Sequence, residues 1–181
     1  MNRFKTLTNT TLLLAVLAIG TLLMVGCSGN PVGEITSEPT LLQRPILADG
    51  PEYARRIKEV TTYSEKIISS KWGGKLSVTG IVLSIPKRAV ANDTLYSINL
   101  PDLNVFYAEF GTDGLKFDNP VTVTFSYAGA DLAGVDESNI SLASFNEKFS
   151  TWRRIDCVVD TKNKTVTGQL KHFSSYGLIS D

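Results

Sequence analysis

The stretch Val121-Thr122-Val123-Thr124-Phe125-Ser126-Tyr127 alternates apolar and polar residues without a break. A period of two places Val121, Val123, Phe125 and Tyr127 on one face of a strand and the hydroxyl side chains on the other. The same pattern recurs outward in both directions. Leu95–Leu100 sets Tyr96, Ile98 and Leu100 together, Phe106, Ala108 and Phe110 share a face, and Val166 and Leu170 do so further on. Turn-forming residues punctuate these runs at Gly73-Gly74, Ala91-Asn92-Asp93, Gly111-Thr112-Asp113-Gly114, Asn119-Pro120 and Asp160-Thr161-Lys162-Asn163. Short strands broken every 8–12 residues predict an all-β fold, an antiparallel β-sandwich of about eight to ten strands spanning residues 63–181. No helical periodicity interrupts them, which argues against a parallel α/β sheet.

Composition narrows the function classes. The 181 residues carry 18 basic and 18 acidic side chains, one histidine and two cysteines. A neutral balance argues against nucleic acid as a partner, because phosphate contacts need clustered Lys and Arg. One histidine and two cysteines are too few for a closed zinc site of four ligands, and no metal or other cofactor is expected. Hydrophobic residues make up 43% of the chain, too many for wholesale disorder.

Four fragments, in order, resemble the ZU-five domain, the β-sandwich module of ankyrins and netrin receptors, and its bacterial relatives. They are Trp72-Gly73-Gly74-Lys75-Leu76, Leu83-Ser84-Ile85-Pro86-Lys87-Arg88-Ala89-Val90, the run from Phe110 to Val121, and Lys171-His172-Phe173-Ser174-Ser175-Tyr176-Gly177-Leu178. Trp152 ahead of Asp160 matches the bacterial pattern as well. The family's usual turn holds Pro-Gly-Ala where this chain has Lys87-Arg88-Ala89. Physically, the paired glycines permit a tight turn, Ile85-Pro86 ends a strand, and Phe117 and Val121 bracket a proline-led strand start.

The N-terminal stretch reads as an address. Residues 1–26 hold no acidic residue, begin with Arg3 and Lys5, and continue through the apolar run from Thr11 to Gly26. That run of 16 residues is shorter than the ~20 a membrane-spanning helix needs, and its layout is that of a secretory signal. Met24-Val25-Gly26-Cys27 resembles a bacterial lipobox, with Met24 where Leu is usual; an uncleaved signal anchor is the alternative. The resemblance implies a signal peptide over 1–26, lipid on Cys27, and a membrane-anchored protein of the bacterial cell envelope. Ser28 after the cysteine favours the outer membrane if the cell has two. Residues 28–62 contain Pro31, Pro39, Pro45 and Pro51 and a single aromatic, Tyr53, so 27–62 is expected to be a flexible tether, with a short helix conceivable over 51–60. With Cys27 consumed by lipid, Cys157 has no disulfide partner and is expected to be a buried, inert thiol.

Candidate chemistry is sparse. In some eukaryotic relatives the His-Phe-Ser tripeptide is a self-cleavage site. The resemblance implies Ser174 attacking the Phe173 carbonyl beside His172, yet those relatives use a further upstream histidine that this chain lacks. The competing expectation is that Phe173 fills the core while His172 and Ser174 satisfy a strand edge. Asp131, Asp136 and Glu137 in the loop 128–139 are candidate calcium ligands, although their spacing matches no EF-hand. Asp113 and Asp118 read as turn residues, and Arg153 and Arg154 as neighbours on opposite strand faces. No nucleophile elbow, phosphate loop or dinucleotide fingerprint is present. The expected function is therefore that of a non-enzymatic, lipid-anchored binding or structural module with a protein or glycan partner. Its rivals are a self-cleaving module and a carbohydrate-binding sandwich, for which Tyr107, opposite in parity to Phe106 and Phe110, is the aromatic candidate.

Overall fold

The computed structural model describes residues 39–44 and 61–180. The signal, Cys27 and the helix expected over 51–60 lie outside these residues. Twelve strands form two antiparallel sheets packed as a sandwich: β1 (Thr40–Leu41), β2 (Tyr63–Ile68), β3 (Gly74–Val78), β4 (Ile81–Ile85), β5 (Thr94–Asn99), β6 (Tyr107–Gly111), β7 (Lys116–Ser126), β8 (Ser141–Asn146), β9 (Thr151–Arg154), β10 (Cys157–Asp160), β11 (Thr165–His172) and β12 (Ser175–Ser180). The seven-stranded sheet runs β2-β5-β6-β12-β8-β9, with β1 paired to β12; the five-stranded sheet runs β10-β11-β7-β4-β3.

The alternation in β7 decides the packing. Val121, Val123, Phe125 and Tyr127 are fully buried, whereas Thr122, Thr124 and Ser126 are only half-buried on the outer face. On the inner face Phe125 lies between Ile81 of β4 and Val166 of β11, and Val123 lies beside Leu83. The facing sheet contributes Tyr96, Ile98, Ala108, Phe110, Leu142, Tyr176 and Leu178. Two hydroxyls, Thr124 and Thr167, meet across the outer face at 3.0 Å.

Two expectations change in detail, and a third feature was not anticipated. The sandwich does not begin at Tyr63, because residues 40–44 from the stretch read as a tether pack into it. Thr40 and Leu41 pair with Ser180 and Ile179, and Leu42 is 2% exposed. Backbone bonds from Leu42 to Leu178 and from Phe106 to Leu42 continue the pairing, so an apolar Leu-Leu pair offsets the ordering of a proline-flanked segment. Pro120 and Asp118 do not sit in a turn but inside β7. There, β11 bulges between Leu170 and His172, and β4 has already ended at Ile85, so no ladder bond requires a proline N–H. Finally, residues 141–160 form three strands that change sheets: β9 ends one sheet and β10 begins the edge of the other.

Phe125→Ala should destabilise the domain by about 3–5 kcal/mol, the cost of deleting a fully buried ring. Thr124→Ala, on the outer face, should cost well under half as much. Equal losses in denaturant unfolding would mean that both faces of β7 are packed.

Candidate functional site

Register places a row of side chains across the outer face of the seven-stranded sheet. Trp152 on β9 pairs with Phe145 on β8, and Glu109 on β6 stands opposite both Ser175 on β12 and Asn99 on β5. Tyr63 on β2 pairs with Asn99, and Tyr176↔Ser144 sets Ser175 beside Phe145. The row therefore reads Trp152, Phe145, Ser175, Glu109, Asn99, Tyr63, each on the side away from the core.

Aromatic rings cluster at one end of this row. The Trp152 indole meets Phe145 at 5.1 Å and Tyr107 edge-on at 5.9 Å between ring centroids. Gly177 lies beneath them, and a Cβ there would come within 3.3 Å of the indole and 2.6 Å of Leu41 Cδ2, so a glycine is what lets the indole settle on the sheet. Polar groups fill the middle. The Tyr107 hydroxyl lies 3.1 Å from Ser175 Oγ and 3.2 Å from Glu109 Oε1, and Asn99 Nδ2 donates to Glu109 Oε2 at 2.9 Å. Burial, ahead of the nearby carboxylates, raises the Tyr107 pKa. Beside this network a shallow basin of about 350 Å³ is bordered by Ser97, Asn99, Glu109, Glu147 and Ser175. Sequence reading found Tyr107 but missed Trp152, Phe145 and Asn99 as its companions.

The His-Phe-Ser tripeptide lies where β11 hands over to β12. Phe173 is 1% exposed and packs against Phe117 (4.8 Å), Phe110 (5.7 Å) and Tyr96 (5.7 Å). Its N–H donates to the Leu115 carbonyl, and its own carbonyl accepts from Gly114 N–H at 3.2 Å. His172 is exposed, with Nδ1 3.2 Å from that same carbonyl oxygen, while Ser174 Oγ points at the Phe145 carbonyl at 3.5 Å. The imidazole thus addresses the carbonyl oxygen rather than the hydroxyl it would have to deprotonate. Phe173 fills the core as the competing expectation held.

The three loop carboxylates have separate partners. Asp131 accepts from Ala133 N–H, and Asp136 accepts from both the N–H and hydroxyl of Ser138, which hold its carboxyl below the usual range. Glu137 takes the Lys164 ammonium on both oxygens at 2.6 Å and the Tyr127 hydroxyl at 2.9 Å. Among the described residues no three His, Cys, Asp or Glu side chains gather as a metal site. Asp113 stands in the turn after β6 as expected. Cys157 is half-buried rather than buried, and its Sγ accepts from Leu142 N–H at 3.4 Å. Arg153 and Arg154 do take opposite faces of β9: Arg154 donates to Ser141 Oγ on the outer side, and Arg153 stands opposite Ser144.

No protein-family model matches the sequence, and no curated protein matches it either. The β-sandwich itself is what the structure shares with the ZU-five resemblance.

Glu137 predicts a pH response. Lys164 first, and Tyr127 second, lower its pKa, and burial followed by the bond to Glu137 raises the Tyr127 hydroxyl to about 12. A carboxyl with a depressed folded pKa contributes stability above its unfolded value and loses it as pH falls through the folded one. Acidification below the ordinary glutamate range should therefore loosen the 128–139 loop, read as faster amide exchange there, and Glu137→Gln should flatten that dependence.

Proposed function

We propose that this chain is a non-enzymatic, lipid-anchored protein of the bacterial cell envelope, and that its sandwich binds a glycan on the outer face of the seven-stranded sheet. The observation that carries the binding half is the row from Trp152 to Tyr63. A pyranose offers an apolar C–H face for stacking and a rim of hydroxyls that need directed partners. Rings of Trp152 and Tyr107 beside Glu109, Asn99 and Ser175 supply both kinds of contact along one line. A protein partner is less well served, because a stable protein interface wants a desolvated apolar centre. The middle of this face is instead carboxylate, amide and hydroxyl.

The anchor half rests on the signal-like residues 1–26 and the lipobox-like Met24-Val25-Gly26-Cys27. Two or three acyl chains on Cys27, at about 0.8 kcal/mol per buried CH₂, hold a protein on a bilayer far better than one. The tripeptide geometry favours a packing role for Phe173 over self-cleavage, since the Ser174 hydroxyl is directed at the Phe145 carbonyl and the His172 imidazole at the Phe173 carbonyl.

On a glycan array the protein should give saturable binding to at least one neutral oligosaccharide. Trp152→Ala should weaken it about tenfold, the equivalent of ~1.4 kcal/mol of lost stacking. Binding that is absent, or unchanged in Trp152→Ala, would overturn the glycan reading. Separately, Cys27→Ser should abolish incorporation of a labelled fatty acid and move the protein out of the membrane fraction. A variant that stays membrane-bound with residues 1–26 attached would identify a signal anchor instead.

A further inference from the structure

The sandwich has a second feature, at the β8–β9 edge on the face opposite the ring cluster, that neither the anchor nor the outer face uses. β10 pairs with β11 only between Cys157↔Gly168 and Asp160↔Thr165, so residues 169–172 of β11 run on without a strand on that side. β9 ends the opposite sheet, and Ile155-Asp156 crosses between the two. The sheets therefore part at this margin and leave an open cleft of about 530 Å³. That is the size range of small-molecule sites and well beyond what a single inorganic ion fills.

Its charge is uneven. Arg153, opposite Ser144, and Arg154, which donates to Ser141 Oγ, border the cleft from β9, and Lys171 and His172 border it from β11. The bulge between Leu170 and His172 interrupts the regular alternation at Lys171. Asp156 is the one carboxylate among the residues that border it. Among the described residues neither Arg153 nor Lys171 makes an ion pair. Acids and bases balance over the chain as a whole, so two unpaired cations facing one cleft form a local positive field that draws an anion.

The rest of the border is suited to hydroxyls and a C–H face. Ser144 offers a hydroxyl, whose Oγ lies 3.5 Å from the Arg153 carbonyl, whereas the Gln169 amide is turned to Thr122 Oγ1 on the outer face of the five-stranded sheet at 2.9 Å. Ile155 supplies apolar surface, while Tyr176 beneath it is 2% exposed and has its hydroxyl committed to the His172 carbonyl at 2.8 Å. Three cations around one cleft are too few to track a polyanion along its backbone, which points to a compact ligand.

We propose that this cleft binds a sugar bearing an oxyanion, a phosphate or a carboxylate. The Arg153 guanidinium offers its planar fork and Lys171 a point charge to the acid group, while Ser144 takes a sugar hydroxyl. This site is independent of the glycan row: Arg153 and Trp152 leave β9 on opposite faces.

Ligand-observed NMR and calorimetry on the full chain in detergent test it, with glucose 6-phosphate, glucuronate, glucose and inorganic phosphate as probes. At least one of the two acidic sugars should bind saturably, more weakly as salt rises, and at least tenfold tighter than glucose or inorganic phosphate. The two acidic arms tell phosphate from carboxylate. Arg153→Ala with Lys171→Ala should cut that affinity at least tenfold, Arg153→Lys should cost less, and Trp152→Ala should leave it unchanged. Both cations are exposed, so an unaltered thermal midpoint is expected, and the charge reversal Arg153→Glu gives a second variant. Failure of both acidic sugars to bind, glucose or phosphate binding as tightly, or binding indifferent to Arg153 and Lys171 would each overturn the proposal.

Discussion

The contact on which the rest depends is the aromatic cluster around Phe173. This ring sits at the handover from β11, in one sheet, to β12, in the other, and touches Phe117 of β7, Phe110 of β6 and Tyr96 of β5. Phe110 in turn meets Phe125 edge-on at 6.3 Å and Tyr176 at 5.8 Å. Rings from both sheets thereby close one interior, and Cys157, the cysteine among the described residues, is free. Edge-to-face pairs add about 0.5–1.5 kcal/mol each beyond area burial, so the cluster both drives and orients the sheet packing. It also explains why the His-Phe-Ser peptide is held so tightly: the ring is trapped, and its N–H and carbonyl are bonded to Leu115 and Gly114.

That constraint propagates to the surface. With Phe173 fixed, Ser175 must begin β12 in register with Glu109, and Gly177 must fall beneath Trp152. The polar row and the ring cluster are thus consequences of where the interior places β12, the central strand between β6 and β8. The loop 128–139 is secured differently, by the Tyr127–Glu137–Lys164 contacts and by apolar Leu132 and Val135 resting on the core. One face of the sandwich is set by packing, one end of it by charge.

The interior was legible in the sequence because period-two alternation encodes it locally. Every residue that the alternation assigned inward in β5, β6 and β7 is buried. What local pattern cannot carry is pairing between strands distant in sequence. Trp152 and Tyr107 are 45 positions apart and meet only because β8 and β12 lie between β9 and β6. β1 went unread for a different reason: two residues have no period, and the prolines around Thr40–Leu41 signal a coil. Pro120 misled likewise, since a proline inside a strand is tolerated only where neighbouring strands happen to end or bulge, which is a property of β4 and β11 rather than of β7.

The pairing of β1 with β12 also has a mechanical side. If the chain is tethered at Cys27, any drag on the sandwich reaches it through residues 39–44. Tension would fall first on the pairing of Thr40 and Leu41 with β12, then on the bonds of Leu42 to Leu178 and Phe106 and on the bond from Arg44 N–H to the Asn104 carbonyl. These few bonds, stitched to the last strand and to the loop before β6, would then act as a clip between such an anchor and the domain. Its release would lengthen the tether and uncover Gly177 and the margin of the ring cluster, while the two sheets stayed joined through Phe173. A surface-held binder built this way would yield at its stalk before it yielded at its fold.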